Sequence, residues 1–266
     1  KDCHTTSLPI AIDATCSGLQ ILAGLARDRS TADLVNVTRS PMPQDAYKVV
    51  AMESRGDIPK RLRPYWDRKT VKRVVMTVPY NAKPYSNRTY IKDALKEKGV
   101  EIESKTPKDE NGEPLLDTDG DEIPSELTIV VKAVRDAMHR VVPGPMAVMK
   151  WIEDEISKSI NRGTHDWIKK EVRVKQKDGK YKKETKDFWC PVGQEFQWTT
   201  PSGFIVTQRI MKSNLERLQL QVLGNCEIRV ATDNTNEVDT DRHKAATAPN
   251  LIHSLDASLL HIATMR

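Results

Sequence analysis

The sequence has no apolar run long enough to cross a bilayer, and its first residues, KDCHTTSLPIAID, lack the apolar stretch of a signal peptide. A membrane-spanning chain is therefore not expected. Its four cysteines, Cys3, Cys16, Cys190 and Cys226, form no Cys-x-x-Cys pair. That spacing argues against a structural zinc site and for free thiols in a reducing compartment. Internal repeats are also missing, which excludes solenoid and propeller arrays. What is there is charge: 42 Lys and Arg against 37 Asp and Glu, a net +5 with a pI near 8.9. This balance permits an anionic partner without requiring one. With 266 residues, 38% hydrophobic and 30% charged, the chain can bury one sizeable core or two modest ones. It begins almost directly on a strand-like run, as a piece of a longer protein would.

Along the chain, LPIAIDA (Leu8 to Ala14) reads as a short strand ending at Asp13. A helix follows in CSGLQILAGLARD, where Leu19, Leu22, Ala23 and Ala26 recur at helical spacing. Further helices are expected over about 44–53, from Asp67, over 84–98, and in two pieces between Leu127 and Ile160, broken at VPGP. Residues 101–126 are acidic and rich in Gly, Pro, Asp and Asn, as a surface insertion would be. DTDGDE within it does not make a calcium loop: counting from Asp117, the sixth and twelfth positions are Glu122 and Thr128, not Gly and Glu. VRVKQKDGKYKKE predicts a hairpin turning at Asp178-Gly179, its lysines solvated or touching a phosphate backbone. More β-structure is expected in FQWTTPSGFIV and MKSNLERLQLQVLGNCEIRV. The last helix is expected to start at Ala248-Pro249. The fold class is α+β, with helix predominating.

Two segments carry candidate chemistry. An aspartate at the end of a buried strand, such as Asp13, offers carboxylate oxygens to a hard cation like Mg²⁺. It equally suits an N-cap for the next helix. In DRKTVKRVVMTVPYN (67–81), Arg68, Lys72 and Met76 recur every four residues and share a face, with Tyr80 one step further. Val71, Val74, Val75 and Val78 fill the rest, and Pro79 must kink or end the helix. Two cations, a thioether and a phenol in one row suit a nucleoside triphosphate. An amphipathic helix with snorkelling cations gives the same periodicity.

LPIAIDATCSGLQ, RKTVKRVVMTVPY and APNLIHSLDAS occur in that order, with TPSGFIV and DRHKAATAPN leading into the last. They resemble successive motifs of the single-subunit, phage-type and mitochondrial-type DNA-dependent RNA polymerases. The resemblance implies a right-hand polymerase fold: residues 1–30 and 253–266 as parts of the palm, 31–252 as helical fingers. It implies Asp13 as a metal-binding and catalytic aspartate, with the Ala14 carbonyl as a second ligand. Arg68 and Lys72 would hold the incoming triphosphate, Met76 would lie beside its base, and Tyr80 would sense the ribose. His253 would stand near the ribose and the new base pair. Gly18 occupies the position where related DNA polymerases carry a glutamate that walls off a 2′-hydroxyl, so a ribose fits.

The implied reaction is DNA-templated RNA synthesis from ribonucleoside triphosphates, assisted by two Mg²⁺ ions. The partners would be a DNA template and the RNA transcript, bound by an enzyme that is a monomer when complete. The setting would be a phage-infected bacterium or a mitochondrion. The family's second metal-binding aspartate is expected past Arg266, so the isolated segment is expected to be inactive. Asn81 stands where the family has glycine, and Pro79 where it has a small residue; Asn tolerates a left-handed backbone better than most residues. Two rival readings are a non-catalytic nucleotide- or nucleic-acid-binding module on the same scaffold, and a related DNA polymerase.

Overall fold

Asp67 starts the helix that the valine spacing predicts. Its carboxylate accepts from the Thr70 amide at 3.1 Å and pairs with the Lys98 ammonium at 2.6 Å, which fixes the first turn of α4 (Arg68–Thr77). In a computed structural model, which describes residues 16–109, 112–118, 120–176, 180–220, 224 and 226–265, the chain divides within one long helix into two units. The first ends at Ala147 and the second begins at Val148.

The first unit holds α1 (Ser17–Ala26), α2 (Arg29–Leu34), α3 (Ala46–Ser54), α4, α5 (Pro84–Lys96), α6 (Glu126–Val141) and the start of α7 (Pro143–Arg162). Val71, Val74 and Val75 of α4 are fully buried among Val50 of α3, Ile91 and Leu95 of α5, and Val130 and Val134 of α6. This valine face is what orients the cationic face outward. Asp28 caps α2 and reaches the Gly144 amide at 3.1 Å. A Cβ at Gly144 would stand 2.5 Å from that carboxylate, so only glycine allows the approach. Burial pushes the Asp28 pKa up, but the hydroxyls of Thr31 and Ser30 and the amides of Thr31 and Gly144 outweigh it and hold the group at about 2. Most of the described residues from 103 to 124 are exposed, as the acidic composition leads one to expect, with isolated bridges between Lys108 and Pro114 and between Leu116 and Glu122. Among the described residues no three His, Cys, Asp or Glu side chains converge on a metal position. Nor is any described helix long and apolar enough to cross a membrane.

The second unit carries three antiparallel ribbons: β1 (His165–Lys175) with β2 (Tyr181–Pro191), β3 (Phe196–Thr199) with β4 (Ile205–Gln208), and β5 (Met211–Leu220) with β6 (Cys226–Val238). The expected hairpins are present; the turn at Asp178-Gly179 and the strand at Leu8–Ala14 lie outside the described residues. The last helix, α8, differs from expectation. It runs Thr240–Thr264, starting eight residues before Ala248 and carrying Pro249 inside. Asp239 caps it by accepting from the Arg242 amide. Hydrogen bonds then tie it to β3–β4 along its length: Thr247 and Asn250 to Gln208, Ser254 to the Trp198 indole, and Ser258 to the Ser202 amide. Those tethers hold the helix through a proline that contributes no amide to the ladder.

His243 is fully buried at the start of α8, its Nε2 accepting from the Ile210 amide at 2.9 Å. Burial pushes its pKa below the ordinary value of 6.5, against the opposing pull of Asp239. The unfolded chain therefore binds this proton more readily than the folded one. Stability is full above pH 6.5 and falls as the pH drops below it, by at most about 1.4 kcal/mol per pH unit. Denaturant melts between neutral pH and about pH 5.5 should show this slope, and His243→Gln should flatten it. A pH-independent midpoint in the parent chain would contradict a neutral buried imidazole.

Candidate nucleotide site

The cationic face of α4 and the turn that ends it meet the start of α1. Pro79 ends the α-helix as expected: after Thr77 the backbone tightens into a 3₁₀ turn, Val78–Tyr80, and Asn81 follows with φ 59° and ψ 34°. Asparagine thus adopts the left-handed conformation expected of it at this position. The turn presents Tyr80 toward α1, where its hydroxyl lies 3.5 Å from Ser17 Oγ. Gly18, buried in the first turn of α1, faces the same ring. A Cβ there would stand 3.2 Å from Tyr80 Cζ and from its hydroxyl, and 3.1 Å from Pro79 Cβ. Carbon atoms pack comfortably at about 3.5–4.0 Å, so the phenol occupies space that any side chain at Gly18 would take.

Between these elements lies a cavity of about 200 Å³, lined by Cys16, Ser17, Gly18, Met76, Pro79 and Tyr80 together with Leu19 and Val75. Of the residues expected to bind a nucleotide, Gly18, Met76 and Tyr80 line it. Met76 is 43% exposed on the outward face of α4. The two cations of the α4 row differ. Lys72 is half-buried, and among the described residues no partner engages it. Arg68 is paired with Asp45 at 2.6 Å, and its guanidinium sits 5.1 Å over the Tyr47 ring. Asp45 also caps α3, accepting from the Lys48 amide. Cys16 and Tyr47 share a hydrogen bond. Burial raises both their pKa values, so both groups stay protonated near neutral pH.

Asp45, Tyr47 and Ser17 were not foreseen as neighbours of the site. Asp45 and Arg68 are 23 residues apart and Ser17 and Tyr80 are 63 apart, and no periodicity links positions that distant. Asp13 and Ala14 lie outside the described residues, although the N-cap of α1 is Cys16, in a left-handed backbone without a side-chain cap bond. His253 is exposed on α8 in the second unit.

Helix α4, the turn after it and the first turn of α1 thus place a thioether and a phenol over a cavity floored by glycine, beside a row of cations. The family model described as DNA-dependent RNA polymerase matches residues 2–266, and the chain belongs to that family, in its phage and mitochondrial type. It is 26% identical to the DNA-directed RNA polymerase of Enterobacteria phage K11 over 98% of this chain and 30% of that protein. It is 25% identical to T7 RNA polymerase of Escherichia phage T7 over 97% of this chain and 30% of that protein. With the mitochondrial DNA-directed RNA polymerase of Mus musculus the identity is 25%, over 98% and 19%. The chain spans less than a third of the length of these relatives.

Proposed function

We propose that this chain supplies the nucleotide-selecting part of a DNA-directed RNA polymerase, with residues 1–30 and 253–266 belonging to the palm and 31–252 to the fingers. The observation that carries the reading is the cavity in which Gly18, Met76 and Tyr80 converge from segments about sixty residues apart. Lys72, with no ion pair among the described residues, would bind the triphosphate and stabilise charge on the departing pyrophosphate. Arg68 would join it by exchanging the Asp45 carboxylate for a phosphate oxygen, a bidentate acceptor that suits a guanidinium. Met76 would contact the base, Tyr80 the ribose, and His253 the new base pair. Mg²⁺ would be held by the Asp13 carboxylate with the Ala14 carbonyl, a hard-oxygen set that fits the ion. When bound, a pair of such ions supplies the Lewis acidity that assists attack of the RNA 3′-hydroxyl on the α-phosphate. The template would be gripped mainly through its backbone, so binding should weaken with salt. The reading implies an enzyme that is a monomer when complete and that works in a phage-infected bacterium or a mitochondrion.

Tyr80→Phe tests it in the full-length polymerase carrying this sequence. The ring still fills its place against Gly18, so much of the rate should remain. The lost hydroxyl contact is worth on the order of 0.5–1.5 kcal/mol, so discrimination against deoxynucleotides should drop about threefold to tenfold. The measurement is single-nucleotide incorporation with paired ribo- and deoxynucleotides. Unchanged selectivity would remove the tyrosine from sugar recognition.

A further inference from the structure

The β1–β2 hairpin holds chemistry that the nucleotide site leaves unused. Residues 165–191 contain nine Lys or Arg against five Asp or Glu, an excess of four in a chain whose total excess is five. Strand alternation puts Trp167, Lys169, Glu171, Arg173 and Lys175 of β1 on one face, with Trp189, Asp187 and Lys183 of β2 across from them, so that face carries four cations against two carboxylates. That face is the solvent face: along β1 its residues are exposed from Trp167 onward, while Ile168, Val172 and Val174 between them are half-buried. Trp167 is 64% exposed and Trp189 58%, their ring centroids 5.3 Å apart, and the His165 ring stacks on Trp189 at 5.8 Å and 15°. Lys183 is paired with Glu171, but among the described residues no ion pair engages Lys169, Arg173 or Lys175.

Two tryptophans held apart from the core at one end, and cations outnumbering carboxylates four to two over the next roughly 20 Å of strand, define a partner with flat apolar faces joined by an anionic backbone. A protein partner fits less well, because protein interfaces are depleted in lysine. A duplex fits less well too, because its base faces are already stacked. We infer that this face is a docking platform for a single-stranded polynucleotide, with bases stacking on Trp167 and Trp189 and phosphates running along Lys169, Arg173 and Lys175. The inference does not rest on the nucleotide site of α4, and Lys72→Ala should leave it untouched.

The test is fluorescence anisotropy of a short labelled oligouridylate titrated with the purified chain at several salt concentrations. A Trp167→Ala, Trp189→Ala chain should bind about tenfold or more weakly, since each stacked base contributes at that scale. A Lys169→Ala, Arg173→Ala, Lys175→Ala chain should lower the slope of log affinity against log salt by about two. This second chain keeps the cross-strand tryptophan pair, so it decides the matter if losing the rings unravels the hairpin. Parental affinity and slope in the cation variant overturn the inference. So does equal affinity for duplex of the same length. Concentration-dependent self-association that the tryptophan substitutions abolish, with oligonucleotide affinity unchanged, would instead make the face a contact between copies.

Discussion

Ribonucleotide incorporation is expected to fall about a hundredfold in a Gly18→Glu polymerase. The Cβ alone would stand 3.1–3.2 Å from Pro79 and Tyr80, and the rest of the glutamate has only the 200 Å³ cavity in front of the phenol to enter. Pro79 is buried and cannot retreat, so Tyr80 must swing away from α1 or the carboxylate must fill the place proposed for the sugar. Displacing a positioning group by about 1 Å can cost a hundredfold in rate. Gly18→Ala is the graded comparison: its methyl asks the ring to yield by only a few tenths of an ångström, so the loss should be intermediate. The measurement is single-nucleotide incorporation, with thermal melts to establish that both variants fold. A folded Gly18→Glu enzyme retaining a tenth of the parental rate would separate this cavity from the nucleotide.

Asp13→Asn is expected to abolish synthesis in the full-length polymerase and to leave DNA binding nearly intact. A neutral amide is a poor ligand for Mg²⁺, whereas a template gripped through its backbone would be held by many distributed cations. Paired measurements of template affinity and RNA yield decide the point. More than about a tenth of the normal rate at ordinary Mg²⁺ would sink the metal assignment, because losing a coordinating carboxylate costs far more than a single neutral hydrogen bond.

What could be read in the residues was local. The valine spacing of α4, the Asp67 cap and the Pro79 stop are each set by neighbours within a few positions, and all three hold. The left-handed Asn81 follows for the same reason. Helix α8 shows where local reading fails. A proline marks a helix start in isolation, yet four side-chain tethers to β3–β4 carry the helix straight through Pro249.

The sequence by itself determined the family, through three motifs in order, and the face of α4 that carries Arg68, Lys72 and Met76. Motif identity and helical period are both properties of residues near one another in the chain. Tertiary structure decided how those motifs are used. Packing of the valine face brought Tyr80 onto Gly18 and Ser17, 63 residues before it in the second case, and closed the cavity. It also divided two cations that look alike in sequence, turning Arg68 to Asp45 and Tyr47 while giving Lys72 no partner among the described residues. Contacts over such separations depend on how whole helices pack, and no pattern along the chain encodes which side chain a distant helix will present.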